Sequence, residues 1–282
     1  MPTVAVLADS HGEMPIDLLR YLRDNKPDAI VHAGDFVYQD PRKVKKEETR
    51  DKMLKCAADI LAELKKIRPT ATHAVCGNTD VHAGNPAKLP ETILLDQPPF
   101  GPVRFAVHHG HVLPKVAGKN DDCSDLLKKL ADKVGVQSWQ AGDIIVCGHS
   151  HTQHHFVDEE SGVLFLNPGA TFSTRRARNP ETPHQAALVH WPEEHSPNNI
   201  AVHRLWWPKN GGNVEKQPWQ PWPPEEPVAA AATSRGVGSK RARSETATRD
   251  EVVVEAREAQ TLPRGRRQRR HTRAGGVARG RK

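Results

Sequence analysis

Residues 3–11 read TVAVLADSH, an uncharged run that ends in Asp-Ser-His. The run Thr3–Ala8 predicts a buried β-strand, because it is short, apolar and rich in β-branched residues. Asp9 and His11 follow it directly and lie two residues apart, so one turn can aim both side chains at the same point. The stretch therefore predicts a strand of an α/β fold that delivers a carboxylate and an imidazole to a loop at its carboxyl end.

The same layout recurs at four other predicted strands, each followed by glycine or histidine and then a polar side chain. These are Ala29–Ala33 before Gly34-Asp35, Thr72–Cys76 before Gly77-Asn78, Val103–Val107 before His108-His109-Gly110-His111, and Asp143–Cys147 before Gly148-His149-Ser150-His151. Ligands of α/β folds lie beyond the carboxyl ends of strands. Five strand ends that each deliver Asp, Asn or His indicate one shared site.

The remaining periodicity predicts three amphipathic helices, Met14–Arg23, Lys43–Ile67 and Ser124–Lys133. Further strands are predicted at Thr92–Leu95, His155–Val157, Val163–Leu166, Ala186–His190 and Val202–Trp206. From about Trp207 onward, Pro, Gly, Arg and Ala replace this pattern. We therefore expect one domain over residues 1–208, a Pro/Trp-rich linker over 209–227 and a disordered basic tail over 228–282.

The net charge of +7 is uneven along the chain. The tail holds 15 of the 41 Lys and Arg and 5 of the 34 Asp and Glu, so it carries +10 and the remainder −3. The clusters Lys240–Arg243 and Arg264–Arg270 are typical of segments that contact import receptors or polyanions such as RNA. The alternative is a solvated tail that carries no targeting signal. The basic pI is therefore a property of the tail and says little about the partner of the domain.

Cysteine spacing and hydropathy indicate the compartment. The four cysteines show no CxxC spacing, which favours buried thiols in a reducing compartment over zinc ligands or disulfides. We find no run of about 18 apolar residues and no charged leader before the first strand. We expect an intracellular protein, cytoplasmic or nuclear, without a signal peptide.

The polar residues at the strand ends suit a pair of metal ions. Two divalent ions held close together require a bridging anion and several oxygen and nitrogen donors. Candidates of these kinds are Asp9, His11, Asp35, Asn78, His109, His149 and His151. Because no thiolate is among them, we expect two divalent ions, Mn²⁺ first, with Zn²⁺, Fe or Ni²⁺ as alternatives.

The ordered motifs DSH, GD, GNTD, HGH and GHSH resemble the signature of the calcineurin-like metallophosphoesterase superfamily over about residues 1–208. Among its members they are most similar to the small YfcE-like phosphodiesterases, which also have an NPG element, here Asn167-Pro168-Gly169. The resemblance implies an α+β (α/β) fold, a four-layer αββα sandwich of two mixed sheets. It also implies a dimetal site at the carboxyl-terminal edge of the strands.

Position by position, the resemblance implies that one ion binds Asp9, His11, Asp35 and His151, and the other Asp35, Asn78, His109 and His149. A hydroxide between the ions would attack a phosphate monoester or diester in line. Asp80, His111 and Asn167 would support the ligands without binding metal. Arg175 and Arg176 would bind a phosphate oxygen of the substrate. The alternative is that they are solvent-exposed charged side chains in a loop.

Departures from the family bear on the substrate. Ser/Thr protein phosphatases carry a His after the Asn that protonates the leaving group, and an Asp-Arg pair after the GD motif. Thr79 and Tyr38-Gln39 occupy these positions here. This difference argues against protein phosphatase activity and favours esters with better leaving groups.

Two other function classes remain open beside the enzyme. The resemblance extends to the retromer scaffold subunit, which has lost part of its ligand set, so a non-catalytic scaffold is one alternative. An RNA-associated factor acting through its basic tail is the other. Because every ligand position is retained, we expect a metal-dependent phosphoric ester hydrolase with a phosphate-ester substrate. The oligomeric state stays open.

Overall fold

The computed structural model describes residues 1–38, 47–101, 103–112, 123–172, 183–191, 200–208 and 212–218. All of them belong to the first of the two units into which the chain divides, Met1–Ala230. The predictions for Gln39, Arg175, Arg176 and the basic tail lie outside these residues, as does most of the Pro/Trp-rich linker.

Strands and helices alternate in the first part of the chain, and the later part consists mainly of strands. They are β1 (Thr3–Leu7), α1 (Ile16–Asn25), β2 (Ala29–His32), α2 (Glu47–Ile67), β3 (Thr72–Ala74), α3 (Asn78–His82), β4 (Thr92–Leu95), β5 (Phe105–His108), α4 (Ser124–Val134), β6 (Ile144–Val146), β7 (His154–Val157), β8 (Leu164–Asn167), β9 (His184–His190), β10 (Ala201–Trp207) and β11 (Glu215–Pro218).

The strands form two mixed sheets. Sheet A has the order β11-β10-β9-β1-β2-β3, and sheet B has the order β4-β5-β6-β8-β7. In sheet A, β1, β2 and β3 are parallel, and β9, β10 and β11 extend the sheet by antiparallel pairing. In sheet B, β5, β6 and β8 are parallel, with antiparallel strands at both edges. Each sheet therefore contains three parallel strands whose carboxyl ends face one edge.

Four layers arise because each sheet is apolar on both faces. The inner faces pack on each other through residues such as Val4, Val31 and Val146. Leu18 and Leu22 of α1 and Leu64 of α2 cover the outer face of sheet A, and α4 covers that of sheet B. Fully burying each such side chain contributes about 1.5–3 kcal/mol. The predicted αββα sandwich of two mixed sheets is confirmed.

Two elements were not predicted from the sequence. Helix α3 begins at Asn78 and is too short to show a helical period. Strand β11 lies beyond residue 208, within the range that the sequence assigns to the linker. All four residues of β11 are exposed at the edge of sheet A, which is why Glu215-Lys216-Gln217-Pro218 shows no apolar alternation.

No helix among the described residues combines the length and the apolar character that a membrane crossing would require.

Candidate metal centre

Seven polar side chains follow the carboxyl ends of the parallel strands and lie together. Asp9 and His11 follow β1, Asp35 follows β2, Asn78 begins α3 after β3, His109 follows β5, and His149 and His151 follow β6. Backbone hydrogen bonds join the loops: the N–H of Asp9 donates to Gly34 O and the N–H of His11 donates to Asp35 O, both at 2.9 Å. The structure therefore brings all seven predicted ligand positions to one edge.

One group of these side chains surrounds the carboxylate of Asp9. Nε2 of His151 lies 3.3 Å and Nε2 of His11 lies 3.9 Å from Asp9 Oδ1. The two Nε2 atoms are only 3.0 Å apart. Three donor atoms this close could hold one metal ion.

The second group surrounds His109. Its Nε2 lies 3.4 Å from Asp35 Oδ2 and 3.1 Å from Asn78 Oδ1. Nδ1 of His149 lies 2.8 Å from the same amide oxygen. Asp9, Asp35 and His109 together form a second set of donors that could hold a metal ion.

Asp9 is common to both groups. Its Oδ1 also lies 4.0 Å from Nε2 of His109. This oxygen is fully buried, yet among the described residues it accepts no hydrogen bond of good geometry. A buried carboxylate oxygen without a partner is costly, and three imidazole nitrogens face it. The donor set therefore fits a cation on both sides of Asp9, in addition to the sharing through Asp35 that the family resemblance implies.

Backbone carbonyl groups orient two of the histidines. Nδ1 of His109 lies 2.7 Å from Ala33 O, and Nδ1 of His11 lies 3.4 Å from Val37 O. A ring that donates from Nδ1 to a carbonyl keeps Nε2 for a metal, which is the usual arrangement of metal-binding histidines. The sequence does not reveal these two carbonyl partners, because main-chain groups carry no residue signature.

Charges and burial act in opposite directions on the pKa values. Burial would raise the pKa of Asp35, but the hydrogen bond and charge of His109 outweigh it and hold that pKa below its usual range. Burial lowers the pKa of His109, but Asp35 outweighs it and raises the pKa to about 9. In the same way Asp9 outweighs burial and raises the pKa of His151. In the metal-free protein the two carboxylates thus stabilise the charged forms of His109 and His151, whereas burial lowers the pKa of His11.

The backbone of the cluster is strained. Among the described residues, eight that are not glycine have positive φ angles, and five of them are Asp9, His11, Asp35, His149 and His151. This region of conformational space is unfavourable for side chains with a Cβ atom, and such strain persists mainly at functional sites. The strain is therefore an independent indication that this edge carries the function.

Two glycines allow the loops to approach each other. A Cβ atom on Gly77 would lie 2.1 Å from Asp35 Oδ1, and one on Gly148 would lie 2.9 Å from the Cβ of Ala8. Neither distance is tolerable for a real side chain. The glycines that precede Asn78 and His149 in the sequence are thus required by close packing around the carboxylates.

Asp80 connects two of the loops, an arrangement that we call the Asp80 clamp. Its Oδ2 accepts the N–H groups of Gly77 (2.8 Å) and Asp35 (2.9 Å), and its Oδ1 accepts those of Phe36 and Val37 (both 3.0 Å). The carboxyl group is buried, and burial raises its pKa to about 6. Asp80 therefore holds Asp35 in position and does not itself point into the cluster.

Asn167 anchors the loop that carries His149 and His151. Its Nδ2 donates to Gly148 O at 2.8 Å and to Ser150 Oγ at 3.0 Å, and its Oδ1 accepts the N–H of Gly169. His111 is half-buried, with its ring centroid 5.5 Å from that of His109. Asn167 and His111 both lie next to the cluster, where the sequence predicts supporting residues.

Among solved structures, the chain is similar to Vacuolar Protein Sorting 29 from Cryptosporidium parvum, with 19% identity over 77% of this chain and 97% of that chain and a TM-score of 0.49. It is also similar to the phosphoesterase Yfce from E. coli, with 17% identity over 67% and 88% of the two chains and a TM-score of 0.45. No curated protein matches it.

A family model matches most of the folded part of the chain. The model describes the calcineurin-like phosphoesterase superfamily domain, and it matches residues 3–191. This range begins at β1 and includes every strand end that contributes to the cluster. The chain belongs to the calcineurin-like phosphoesterase superfamily.

Proposed function

We propose that this protein is a metal-dependent phosphoesterase that hydrolyses phosphate monoesters or diesters at the Asp9–Asp35 cluster. The observation that carries the proposal is the buried Oδ1 of Asp9, which accepts no hydrogen bond from the described residues and faces three imidazole nitrogens. Two divalent ions, when bound, would lower the pKa of a water molecule and neutralise charge on the phosphoryl oxygens.

The residues divide between two ions. Asp9, His11 and His151 would hold one ion, and Asn78, His109 and His149 the other, with Asp35 shared between them. The N–H of Thr79 donates to Asp35 Oδ1 at 2.8 Å, which orients that carboxylate toward His109. Thr79 supplies no acidic proton where protein phosphatases carry a histidine. The proposal is therefore for esters with good leaving groups, with Mn²⁺ as the first metal to test.

Metal content tests this proposal directly. We expect the full-length protein, after loading with Mn²⁺ and desalting, to retain about two divalent ions per chain by elemental analysis, because the two donor groups are preformed. His82→Ala, which changes an exposed imidazole near but outside the cluster, should retain the same amount. A protein that holds no stoichiometric metal and hydrolyses no aryl phosphate would contradict the proposal.

Metal affinity should depend strongly on pH. A protonated imidazole cannot bind a metal, and the raised pKa of His109, about 9, means that metal-free His109 carries a proton at pH 7. Binding at pH 7 must release that proton, so the affinity should rise from pH 7 to pH 9 and level off above it. Calorimetric titration in buffers with different ionisation enthalpies should give at least about one proton released at pH 7. A pH-independent affinity would show that His109 is not a ligand.

A non-catalytic interaction protein is the second candidate. Six large apolar side chains are exposed among the described residues, and four of them follow ligand-bearing strands: Ile16, Tyr38, Val81 and Val112. Exposed apolar side chains are typical of a protein interface where they form a contiguous patch. Metal-dependent turnover of an aryl phosphate would favour the enzyme, whereas stoichiometric metal binding without turnover would favour the scaffold.

A further inference from the structure

His82 is the last residue of α3, the short helix that begins at the ligand position Asn78. Four residues separate the two, so they lie about one helical turn, or about 6 Å, apart along the axis. Side chains four residues apart on a helix lie on the same face, and each leans toward the amino end of the helix. The imidazole of His82 therefore leans toward Asn78 and the metal centre.

Hydrogen bonds at both ends hold α3 in this position. At its amino end the Asp80 clamp ties the helix to the loop after β2. At its carboxyl end the N–H of Ala83 donates to Thr79 O at 3.0 Å, and the N–H of Asn85 donates to Asp80 O at 2.7 Å. The backbone that carries His82 is thus fixed relative to the metal loops.

The burial of the side chains shows how α3 is oriented. Asp80 is 2% exposed, whereas Val81 is 43% exposed and His82 is exposed as well. Because successive residues of a helix are about 100° apart, Asn78, Val81 and His82 share one face and Asp80 lies on the other. Among the described residues, no hydrogen bond or ion pair engages the ring of His82. His82 is therefore at the solvent-accessible rim of the metal centre.

Asn78 connects this rim with the donors of one of the two proposed ions. Its Oδ1 lies 3.1 Å from Nε2 of His109 and 2.8 Å from Nδ1 of His149. The Cβ atoms of residues four apart on a helix are about 5–6 Å apart, and an imidazole ring spans much of that distance. A phosphate ester bound beside Asn78 therefore lies within reach of the His82 ring.

Hydrolysis of an ester of an ordinary alcohol requires an acid at this place. An alkoxide is a poor leaving group unless it takes up a proton as its bond to phosphorus breaks, and a positioned acid contributes about 10²–10⁴-fold to such a step. The residue after Asn78, which supplies this proton in protein phosphatases, is Thr79 here, and its hydroxyl group is too weak an acid. Histidine is the side chain that enzymes use most often for this purpose.

We propose that His82 is the general acid of this centre and donates a proton to the oxygen of the leaving group. As the oxygen of water bonds to phosphorus, the P–O bond to the leaving group breaks. The electron pair of that bond stays on the leaving oxygen, which takes the imidazolium proton. The attacking water loses one proton to solvent and the imidazole regains one from solvent, so that ester and water give the alcohol and the phosphate product.

This assignment rests on the proposed phosphoesterase function. It extends that function from activated aryl esters to esters of ordinary alcohols, although the aryl esters remain the faster substrates. His82 acts on the leaving group and is not a metal ligand, so metal content should not depend on it.

Two esters that differ in their leaving group test the assignment on the full-length, Mn²⁺-loaded protein. 4-Nitrophenyl phosphate releases an anion that needs no proton, whereas benzyl phosphate releases an alkoxide that does, and the corresponding methyl diesters form a second pair. We expect His82→Ala to lower kcat/KM for the benzyl ester by at least about 10²-fold, and that for the 4-nitrophenyl ester by less than about threefold. His82→Gln, which keeps a polar side chain that cannot act as an acid, should behave in the same way.

Val81→Ala is the matched control, because it changes an exposed side chain on the same face of α3 that carries no acidic proton. It should change kcat/KM for both esters by the same factor, and all variants should keep the metal content of the wild type. Equal losses for both esters in His82→Ala, or no loss for the benzyl ester, would overturn the assignment and leave the proposed function intact. A wild type that hydrolyses only the 4-nitrophenyl ester would do the same. If the metal-loaded protein hydrolysed neither ester, the proposed function would fall and the assignment with it.

Inorganic phosphate provides a readout that does not require turnover. One of its oxygens takes the place of the leaving-group oxygen and would accept a hydrogen bond from the imidazolium group of His82. Calorimetry should therefore give a Kd for phosphate about 10-fold higher for His82→Ala than for the wild type and for Val81→Ala. An unchanged Kd in His82→Ala would show that His82 does not reach the phosphate group, and the assignment would be wrong.

Discussion

Asp35→Asn should lower kcat for an aryl phosphate by at least about 10²-fold and remove at least one of the two bound metal ions. Asp35 is the carboxylate that the proposed function shares between the ions, and its Oδ2 lies 3.4 Å from Nε2 of His109. Two cations held close together repel each other, and a shared negative charge offsets much of that repulsion. A neutral amide of the same size cannot do so, and a loss of this size corresponds to about 3 kcal/mol of transition-state stabilisation.

The fold should survive this substitution. An Asn at position 35 keeps one carbonyl oxygen, which can still accept the N–H of Thr79 that Asp35 Oδ1 accepts at 2.8 Å. The backbone N–H of residue 35 would still donate to Asp80. We therefore expect the Tm of the metal-free protein to change by only a few degrees, and the loss of activity to be a property of the site.

Asp28→Asn is the matched control for this experiment. Asp28 precedes β2, so the two aspartates lie at opposite ends of one strand, and Asp28 Oδ2 accepts the N–H of Thr3 far from the cluster. kcat and metal content should be determined for both variants. If Asp28→Asn were as damaging as Asp35→Asn, or if Asp35→Asn retained two ions and normal turnover, the assignment of Asp35 would be wrong.

Much of the site could be predicted because its signals are local in the sequence. Asp9 and His11 follow an apolar run, and Gly34, Gly77 and Gly148 precede three other polar residues. Glycine is required at position 77 because a Cβ atom there would collide with Asp35. Strand ends and glycines of this kind produce recognisable local sequence patterns, so the edge that carries the site can be predicted.

Other features depend on contacts between distant segments, and no local sequence pattern indicates them. Ala33 O orients His109 from 76 positions away, and any residue at position 33 would supply the same carbonyl. β11 was not predicted, because its polar residues lie at an exposed edge and pair only through the backbone. The placement of β9, β10 and β11 side by side is likewise a register that no short motif encodes.

The role of Asp80 could be predicted from the sequence only in part. The motif Gly77-Asn78-Thr79-Asp80 predicts a residue that orients the Asn78 loop. The structure shows that its carboxylate also receives backbone N–H groups of residues 35, 36 and 37, which follow a different strand. The Asp80 clamp thus joins two loops, and its contribution extends to the carboxylate of Asp35.

Asp80→Asn should lower the Tm by about 6–12 °C and weaken metal binding by about 10- to 100-fold. The amide keeps the size of the side chain but replaces one acceptor oxygen with an NH₂ group. If NH₂ takes the place of Oδ2, the N–H groups of Gly77 and Asp35 lose their acceptor, and if it takes the place of Oδ1, that of Val37 loses its acceptor. Each buried N–H without a partner costs about 1–3 kcal/mol, so about 3 kcal/mol in total is expected.

The effect on metal binding follows because the clamp positions the loop of Asp35. When that loop shifts, the carboxylate no longer lies between His109 and the N–H of Thr79. Loss of a partner that orients a ligand typically costs 10- to 100-fold in metal affinity. Thermal unfolding of the metal-free protein and Mn²⁺ titration should both be measured at pH 8, where Asp80 is ionised because its pKa is about 6.

Asp59→Asn, an exposed position on α2, removes the same charge without touching the loops and should change neither quantity. A stable Asp80→Asn protein with weakened metal binding would assign the clamp to the site and not to the fold. Unchanged Tm together with unchanged affinity would mean that water replaces the lost acceptor at no cost, and the Asp80 clamp would then have no role in positioning Asp35.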